Sequence, residues 1–328
     1  MNKKLIVYPY TNEFEHLVDY SGIMVGYDLS RLVVTKSYLM QNKNHDLRIS
    51  DLLSTDFDKE IHACDAILFT GNPSVEEKVL RLAKMHGKEL FHSQNVMITS
   101  VKSYSDRQST SRIEVPTIAV MGQGENTQKF NLQLMLREGF VRQGYKVLQF
   151  GTKFYSTIFG MCRIPDCGEA SLWRKILFLN EYIKHYIHEE KPDIVVVGIP
   201  GGLMPLNTLI HQRFGEDAIA ICEAVKPDIS IVSYYENLAI NEVIEMTSDF
   251  ALKRLGITID YVHISNTRLV IQSENSRPDY LKIGIEQVRN KCSEITRVYR
   301  PFSSGDCIGK SVVINEIINE LQNNIEVL

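Results

Sequence analysis

Short apolar runs alternate with amphipathic, helix-like segments along most of the chain, which is the pattern of a parallel α/β protein. Three such runs in the first hundred residues are predicted as buried strands: 5–8, 31–35 and 65–70. A helical pattern over 75–86 follows them, and Gly87 supplies the expected C-terminal cap. The sequence therefore predicts a small N-terminal α/β domain over 1–99.

A polar, hydroxyl-rich stretch interrupts this pattern and is predicted as a linker over 100–115. The alternation then resumes, with apolar strands predicted at 117–121, 146–151, 193–199, 228–233 and 257–264. Between these strands we predict helices at 127–144, 172–190 and 237–255, and two further helices near 278–292 and 311–321. We therefore expect a second domain over 116–328, doubly wound around a mostly parallel sheet.

Composition and charge narrow the class of protein. The 328 residues are 44% hydrophobic and 23% charged, and the net charge of −4 without long charged runs argues against nucleic-acid binding. The longest apolar runs are far shorter than the ~20 residues of a membrane helix, and no signal-peptide core follows the first residues. Six scattered cysteines form no disulfide framework. We expect a cytoplasmic protein that binds neither membranes nor nucleic acid.

A glycine-containing loop joins the predicted strand 117–121 to the next helix. Backbone amides and the positive end of a helix dipole bind phosphate at such a junction. The candidate phosphate-binding residues are Gly122, Gln123, Gly124, Glu125, Asn126, Thr127, Gln128 and Lys129. The alternative interpretation is that Gly122 and Gly124 only permit a tight turn, with Lys129 in solvent.

This loop departs from the standard phosphate-binding motif at the positions that serve catalysis. With Lys129 as the lysine of the motif, its glycine positions hold Gln123 and Gln128, and its hydroxyl position holds Phe130. Phe130 cannot bind a cation, so we expect phosphate binding without efficient Mg²⁺-dependent hydrolysis. ATP and GTP are the candidate ligands. No metal site is predicted elsewhere, and the sequence identifies no catalytic residue.

The surroundings of the loop resemble the MinD and nitrogenase-iron-protein branch of P-loop NTPases. The features that carry this resemblance are the Gly-Tyr-Lys-Val sequence at 144–147 and the Pro-Asp-strand-Gly sequence at 192–202. The resemblance implies a P-loop-NTPase-like second domain, with ligand contacts from Gly198, Gly201 and Gly202. It also implies that Asn266, after the strand 257–264, contacts the base. Gly198 stands where that branch has an aspartate.

A second glycine loop lies close to the C-terminus, with its motif positions at Gly305, Gly309, Lys310 and Ser311. It lacks only the first glycine of the P-loop expression. The preceding segment 294–300 carries charges where a central strand should be apolar, and the chain after Ser311 is long enough for one helix only. The alternative is that Gly309 merely precedes a terminal helix, so this loop is the second candidate.

The order of motifs along the whole chain resembles the peptide maturation system proteins found with clostridial ribosomal-peptide (bacteriocin-type) gene clusters. The matching features are Tyr8-Pro9-Tyr10, the loop with Lys129 and Phe130, and the segments 144–147, 198–205 and 224–228. This resemblance implies an accessory protein that acts with a precursor peptide or its modifying enzyme. The sequence leaves the oligomeric state, monomer or oligomer, open. Two alternatives stay open: an active NTPase that uses Lys129 or Lys310, and a peptide-binding scaffold without a small ligand.

Overall fold

The computed structural model describes residues 2–41, 47–93, 108–271 and 278–326. The chain divides into two compact units: unit 1 is Met1–Met97 with Lys153–Pro165, and unit 2 is Ile98–Thr152 with Asp166–Leu328. The segment 153–165, which the sequence assigns to the second domain, thus belongs to unit 1. Residues 100–107 of the predicted linker lie outside the described residues, and 108–115 contain no helix or strand.

Unit 1 contains a five-stranded parallel sheet. Its strands are β1 (Lys3–Tyr8), β2 (Tyr27–Val33), β3 (Leu53–Ser54), β4 (Ala66–Phe69) and β5 (Glu89–Phe91), in the order β3-β2-β1-β4-β5. The connections contain α1 (His16–Asp19), α2 (Lys36–Gln41), α3 (Leu47–Ser50), α4 (Phe57–Ala63) and α5 (Pro73–Met85). The predicted strands 5–8 and 65–70 lie where expected, whereas the one predicted at 31–35 begins and ends earlier.

Unit 2 contains a larger parallel sheet. Its strands are β6 (Thr117–Gly122), β7 (Val147–Gly151), β9 (Ile194–Gly198), β10 (Ile229–Tyr234), β11 (Tyr261–Ile264) and β14 (Pro301–Phe302), in the order β14-β11-β10-β6-β9-β7. The two-residue β8 (Cys162–Arg163) lies in the inserted segment 153–165, and β12 (Thr267–Val270) pairs antiparallel with β13 (Asp279–Lys282). All six residues of β6 are buried between β9 and β10. The predicted mostly parallel α/β class is confirmed.

The helices of unit 2 are α6 (Lys129–Arg142), α7 (Leu172–Glu190), α8 (Glu216–Val225), α9 (Asn241–Phe250), α10 (Ile285–Glu294) and α11 (Cys307–Glu326). A π-helical turn, Ala251–Leu255, continues α9. The helix predicted near 278–292 begins only at Ile285, because 279–282 pair with β12 as a strand. Among the described residues, no helix is both long and apolar enough to cross a membrane.

Aspartates at the strand entries connect neighbouring strands in both units. Each one donates its backbone N–H to the carbonyl of a residue on the adjacent strand, and its carboxylate accepts the N–H of that same residue. The carboxylate bonds measure 2.7–2.8 Å in the four pairs Asp65–Lys4, Asp193–Lys146, Asp228–Thr117 and Asp260–Ser230. A charged acceptor strengthens each bond, so these pairs fix where the strands begin.

Candidate phosphate-binding site

The candidate loop lies at the carboxyl end of β6, in the middle of the sheet of unit 2. The Gln123 N–H donates to Ser233 O of β10 at 2.8 Å, and the Gly122 carbonyl accepts from Leu203 N at 2.9 Å. The amide of Gln123 is therefore used by the sheet and does not face a ligand. The loop proper begins at Gly124 and ends where α6 begins, at Lys129.

Two residues of this loop hold a backbone conformation in which glycine is usual. Asn126 has a φ of 57° and Gln128 a φ of 59°, and Gln128 occupies the position directly before the lysine. The left-handed conformation costs an ordinary L-residue roughly 1–2 kcal/mol. Residues that alternate between right- and left-handed conformations form a concave nest of N–H groups that binds anions. The loop therefore has a positive φ at Asn126 and at Gln128 without a glycine at either position.

The hydrogen bonds of the loop are unequally distributed between its carbonyl and N–H groups. The Thr127 hydroxyl donates to Gly124 O at 3.1 Å, the Tyr235 hydroxyl donates to Glu125 O, and the Ser233 hydroxyl donates to Thr127 O. In contrast, the N–H groups of residues 124–128 donate to no acceptor within the part of the chain that the structure describes. The loop therefore has N–H donors to offer, whereas its carbonyls at Gly124, Glu125 and Thr127 already accept hydrogen bonds.

Lys129 lies across this loop. Its ammonium donates to Gly124 O at 3.1 Å and to Gly201 O in the segment after β9. Gly202 packs against the residue that precedes the loop, because a Cβ there would stand 2.7 Å from Gln123 O. The structure therefore brings Gly201 and Gly202 to the loop, together with the one lysine of the motif.

Gly198 lies at the position where the resemblance to the MinD branch predicts an aspartate, and Gln133 fills the space beside it. A Cβ on Gly198 would lie 2.6 Å from the Gln133 side-chain amide, which is buried and donates to Phe150 O at 2.9 Å. Phe130, at the hydroxyl position, is also buried. No group of three or more His, Cys, Asp or Glu that could hold a metal occurs among the described residues. These residues do not fit a bound Mg²⁺.

Asn266 lies next to the loop through its backbone. Its N–H donates to the side-chain oxygen of Gln128 at 2.8 Å, and its carbonyl accepts from Ile283 N at 2.8 Å. The Asn266 side chain is half-buried. The glutamine that replaces the motif glycine therefore connects the loop to the segment after β11.

The second candidate loop has a different structure from a phosphate loop. Gly305 lies in a turn, but Gly309, Lys310 and Ser311 are already part of α11. The preceding strand, β14, has two residues and lies at the edge of the sheet. A P-loop instead follows a central strand, as β6 does, so the geometry favours the first loop.

A chain of buried hydrogen bonds nevertheless connects the two loops. Ser304 N donates to His263 Nε2 at 3.1 Å, and His263 Nδ1 lies 2.7 Å from Ser233 Oγ. Because the Ser233 hydroxyl donates to Thr127 O, we assign the proton of the neutral imidazole to Nδ1. Burial, with a smaller contribution from Lys310, lowers the pKa of His263 to about 3, which agrees with a neutral ring.

Three residues that hold the loop are not predicted from the sequence: Ser233, Tyr235 and His263. The available signal was the position of Ser233 and His263 inside strands that are mostly apolar. Polar side chains near the carboxyl end of buried parallel strands are expected to have a specific partner. Their contact with the loop, however, arises from pairings between residues far apart in the sequence.

The fold of this chain is similar to that of proteins with known structures, but the similarity does not show its function. A protein of the DUF1611 family from Anabaena variabilis is 10% identical and superposes with a TM-score of 0.59, covering 97% of this chain and 100% of that one. A nucleotide-binding protein from Archaeoglobus fulgidus in complex with ADP is 13% identical, with a TM-score of 0.35 and coverage of 62% and 83%. At these identities the first similarity shows the fold alone, and the second is too low to support an argument.

Chloroplast FtsY from Physcomitrella patens is 12% identical, with a TM-score of 0.33 over 86% of this chain and 95% of that one, and is equally distant. No known protein family matches the sequence. No curated protein matches it either.

Proposed function

We propose that the loop of residues 124–128, with Lys129, binds the phosphate groups of a nucleotide, with ATP and GTP as the expected ligands. The observation that carries this proposal is the run of loop N–H groups without an acceptor. Gly124 and Thr127 are buried, and buried backbone N–H groups almost always have a partner. A phosphate oxygen would supply the missing acceptors at the N-terminus of α6.

Lys129 would add a positive charge to this cradle. Two acceptors of its ammonium, Gly124 O and Gly201 O, are neutral carbonyls of the same site. A charge-assisted bond to phosphate is stronger than a bond to a carbonyl. On ligand binding we therefore expect the ammonium to exchange at least one carbonyl for a phosphate oxygen.

The same geometry favours binding without efficient hydrolysis. Phosphoryl transfer needs stabilisation of developing negative charge, which a metal ion and its carboxylate ligand usually supply. Gly198 offers no carboxylate, and Gln133 occupies the space that one would need. In this proposal the bound nucleotide is a structural or regulatory ligand.

Calorimetric titration with ATP, GTP and their diphosphates tests the proposal. We expect binding at up to millimolar ligand, and about tenfold weaker binding in Lys129→Ala, which loses one charge-assisted contact. Lys310→Ala tests the second loop and should bind like the wild type. Lys253→Ala, on the exposed surface of α9 and its continuation, is the matched control.

Three outcomes would contradict the proposal. They are the absence of heat with all four nucleotides, a loss of binding in Lys310→Ala alone, and equal affinity in Lys129→Ala and the wild type. A hydrolysis assay with Mg²⁺ completes the comparison. Turnover that Lys129→Ala abolishes would support the alternative of an active NTPase.

For the cellular role, we propose an accessory protein in the maturation of a ribosomally synthesised peptide. The support is the whole-chain resemblance carried by Tyr8-Pro9-Tyr10, the loop, and the segments 144–147, 198–205 and 224–228. The expected partners are the precursor peptide or its modifying enzyme. A pull-down with the peptide encoded beside the gene should retain this protein, and a gene neighbourhood without any such peptide would contradict the role.

A further inference from the structure

A cavity of about 370 Å³ lies beside the candidate loop in unit 2. Pockets of this size hold small-molecule ligands. Its wall comes from the segment after β9, from the region of α9 and from β12 with the residue after it. The apolar lining residues include Leu203, Leu238, Val243, Met246, Leu269 and Ile271. No lining residue is charged, so the cavity favours an uncharged, apolar group.

Most of the polar side chains in the wall already have partners. Asn237 exchanges two hydrogen bonds with the backbone of Leu269, at 3.0 and 3.1 Å. The Thr247 hydroxyl donates to Val243 O at 2.7 Å within α9. The Asn207 oxygen accepts from two backbone N–H groups of its own loop, and this residue is exposed. None of these groups needs a ligand.

Gln123 is the exception. Its side chain is only 4% exposed and lines the cavity. The side-chain oxygen accepts from Tyr235 N at 3.3 Å, but the side-chain nitrogen Nε2 donates to no acceptor among the described residues. Among the described residues, this nitrogen is not one of the fully enclosed side-chain atoms that lack a partner, so it is reachable from the cavity that Gln123 lines. A ligand carbonyl in the cavity would accept its hydrogen bond in apolar surroundings.

We propose that this cavity binds an apolar amino-acid unit with a neutral amide, whose carbonyl oxygen accepts a hydrogen bond from Gln123 Nε2. Gln123 directly precedes Gly124, so the carbonyl would lie beside the phosphate cradle. The cavity is then the site of a second ligand that is bound next to the nucleotide. Only the position of this second ligand beside a nucleotide rests on the proposed function. The cavity and the Gln123 donor are present without a nucleotide.

Two methionines of the cavity wall provide a direct readout. Met204 and Met246 line the cavity, whereas Met40 and Met85 are exposed on unit 1, at 72% and 77%. NMR of the protein with ¹³C-labelled methionine methyl groups, assigned by Met→Leu variants, follows all four. We expect N-acetyl-L-leucinamide, added without nucleotide, to shift the Met204 and Met246 signals saturably and to leave Met40 and Met85 unchanged.

Variants and a second probe separate the parts of the proposal. The charged analogue N-acetyl-L-aspartic acid amide should bind at least tenfold more weakly. Gln123→Leu removes the donor and should weaken N-acetyl-L-leucinamide binding about five- to tenfold, whereas Gln287→Leu, an exposed glutamine of α10, should not. Val243→Phe fills part of the cavity and should abolish the saturable shift, which keeps the test valid if Gln123→Leu does not fold.

Absence of a saturable shift at Met204 and Met246 would overturn the proposal. Equal affinity for the neutral and charged probes would overturn it too, as would unchanged affinity in folded Gln123→Leu. Because the titration contains no nucleotide, it gives the same answer whether or not the loop binds phosphate. A failure of the nucleotide titration alone would therefore contradict the proposed function and leave the cavity site standing.

Discussion

Asn126 and Gln128 of the candidate loop have a left-handed backbone although neither is glycine. Asparagine tolerates this conformation better than most residues, because its short side chain forms local hydrogen bonds. Gln128 is held there by the bond from Asn266 N to its side chain. At the scale of single residues, side-chain hydrogen bonds therefore stabilise the left-handed backbone of the loop, a conformation that glycine would adopt without strain.

A pair of substitutions at Asn126 tests this account. Asn126→Gly should leave the free energy of unfolding within about 0.5 kcal/mol of the wild type, because glycine adopts a positive φ without strain. Asn126→Val should lower it by about 1–2 kcal/mol, because a branched Cβ fits this conformation poorly. Urea denaturation measures both. Equal stability of the two variants would show that the residue is not held in the left-handed region.

The contact between Gly198 and Gln133 gives a second test at this scale. Gly198→Asp should lower the free energy of unfolding by about 1–3 kcal/mol, since its Cβ would meet the buried Gln133 side chain. Adding Gln133→Ala makes room, so the double variant should be at least about 1 kcal/mol more stable than the sum of the single effects predicts. A double-mutant cycle by urea denaturation measures this coupling, and strict additivity would contradict it.

At the scale of the elements, the aspartates that precede β4, β9, β10 and β11 repeat one device. Each joins the entry of its own strand to the entry of a neighbour through two hydrogen bonds. The bond from Thr117 N to Asp228 is the one next to β6, the strand that leads into the candidate loop. These aspartate hydrogen bonds fix where the strands begin, at the end of the sheet opposite the loop.

Asp228→Ala should therefore lower the free energy of unfolding by about 2 kcal/mol, because it leaves the Thr117 N–H without its charged acceptor. Asp228→Asn keeps a side-chain oxygen and should lose less than half of that. Asp249→Ala, at an exposed ion pair on α9, should change stability by less than about 0.5 kcal/mol. Thermal or urea unfolding of the three variants gives the ranking, and an equal effect of Asp228→Ala and Asp249→Ala would contradict the proposed role.

At the scale of the whole molecule, two of the described histidines, His16 and His263, are buried and neutral. His16 in unit 1 lies 3.0 Å from the Tyr155 hydroxyl, and His263 is in the chain of hydrogen bonds of unit 2. Burial lowers the pKa of both to about 3, with smaller contributions from Lys153 at His16 and Lys310 at His263. In an unfolded chain each would titrate near 6.5.

The unfolded state therefore binds more protons than the folded state between about pH 6.5 and pH 3. Stability is fully present above pH 6.5 and decreases as the pH falls, by up to about 1.4 kcal/mol per pH unit for each histidine. Denaturation midpoints between pH 7.5 and 5 measure the slope. His263→Asn should reduce the pH slope of unit 2, and His185→Asn, at an exposed position, should not. An unchanged slope in His263→Asn would contradict a neutral buried imidazole.

The sequence was sufficient for the long strands and for the loop. Parallel strands that are buried on both faces appear as continuous apolar runs, as at β6 and β9, and the loop follows from a strand, glycines and a helix in succession. β3 and β14 have two residues each and carry no periodicity. β13 is largely exposed, so its pattern could not be distinguished from the start of a helix.

The rest of the site depends on contacts that no local pattern contains. Ser233 reaches Thr127 across 106 positions of the sequence, and Tyr235 reaches Glu125 across 110. The assignment of the segment 153–165 to unit 1 has the same origin, since it depends on long-range packing. The sequence predicts Gln123 as a residue of the loop, but the cavity that its side chain lines forms only in the folded chain.

The hydrogen bonds that run from Ser304 through His263 and Ser233 to Thr127 have a fixed direction. The first group is a backbone N–H, which can only donate, and the last is a backbone carbonyl, which can only accept. Proton transfer along these hydrogen bonds would require every donor to become an acceptor and every acceptor a donor. The Ser304 N–H cannot accept and the Thr127 carbonyl cannot donate, so this transfer does not occur. His263 consequently has a structural role, in which it connects two turns of the chain by hydrogen bonds. A general acid or base for any reaction at the loop would have to be another group.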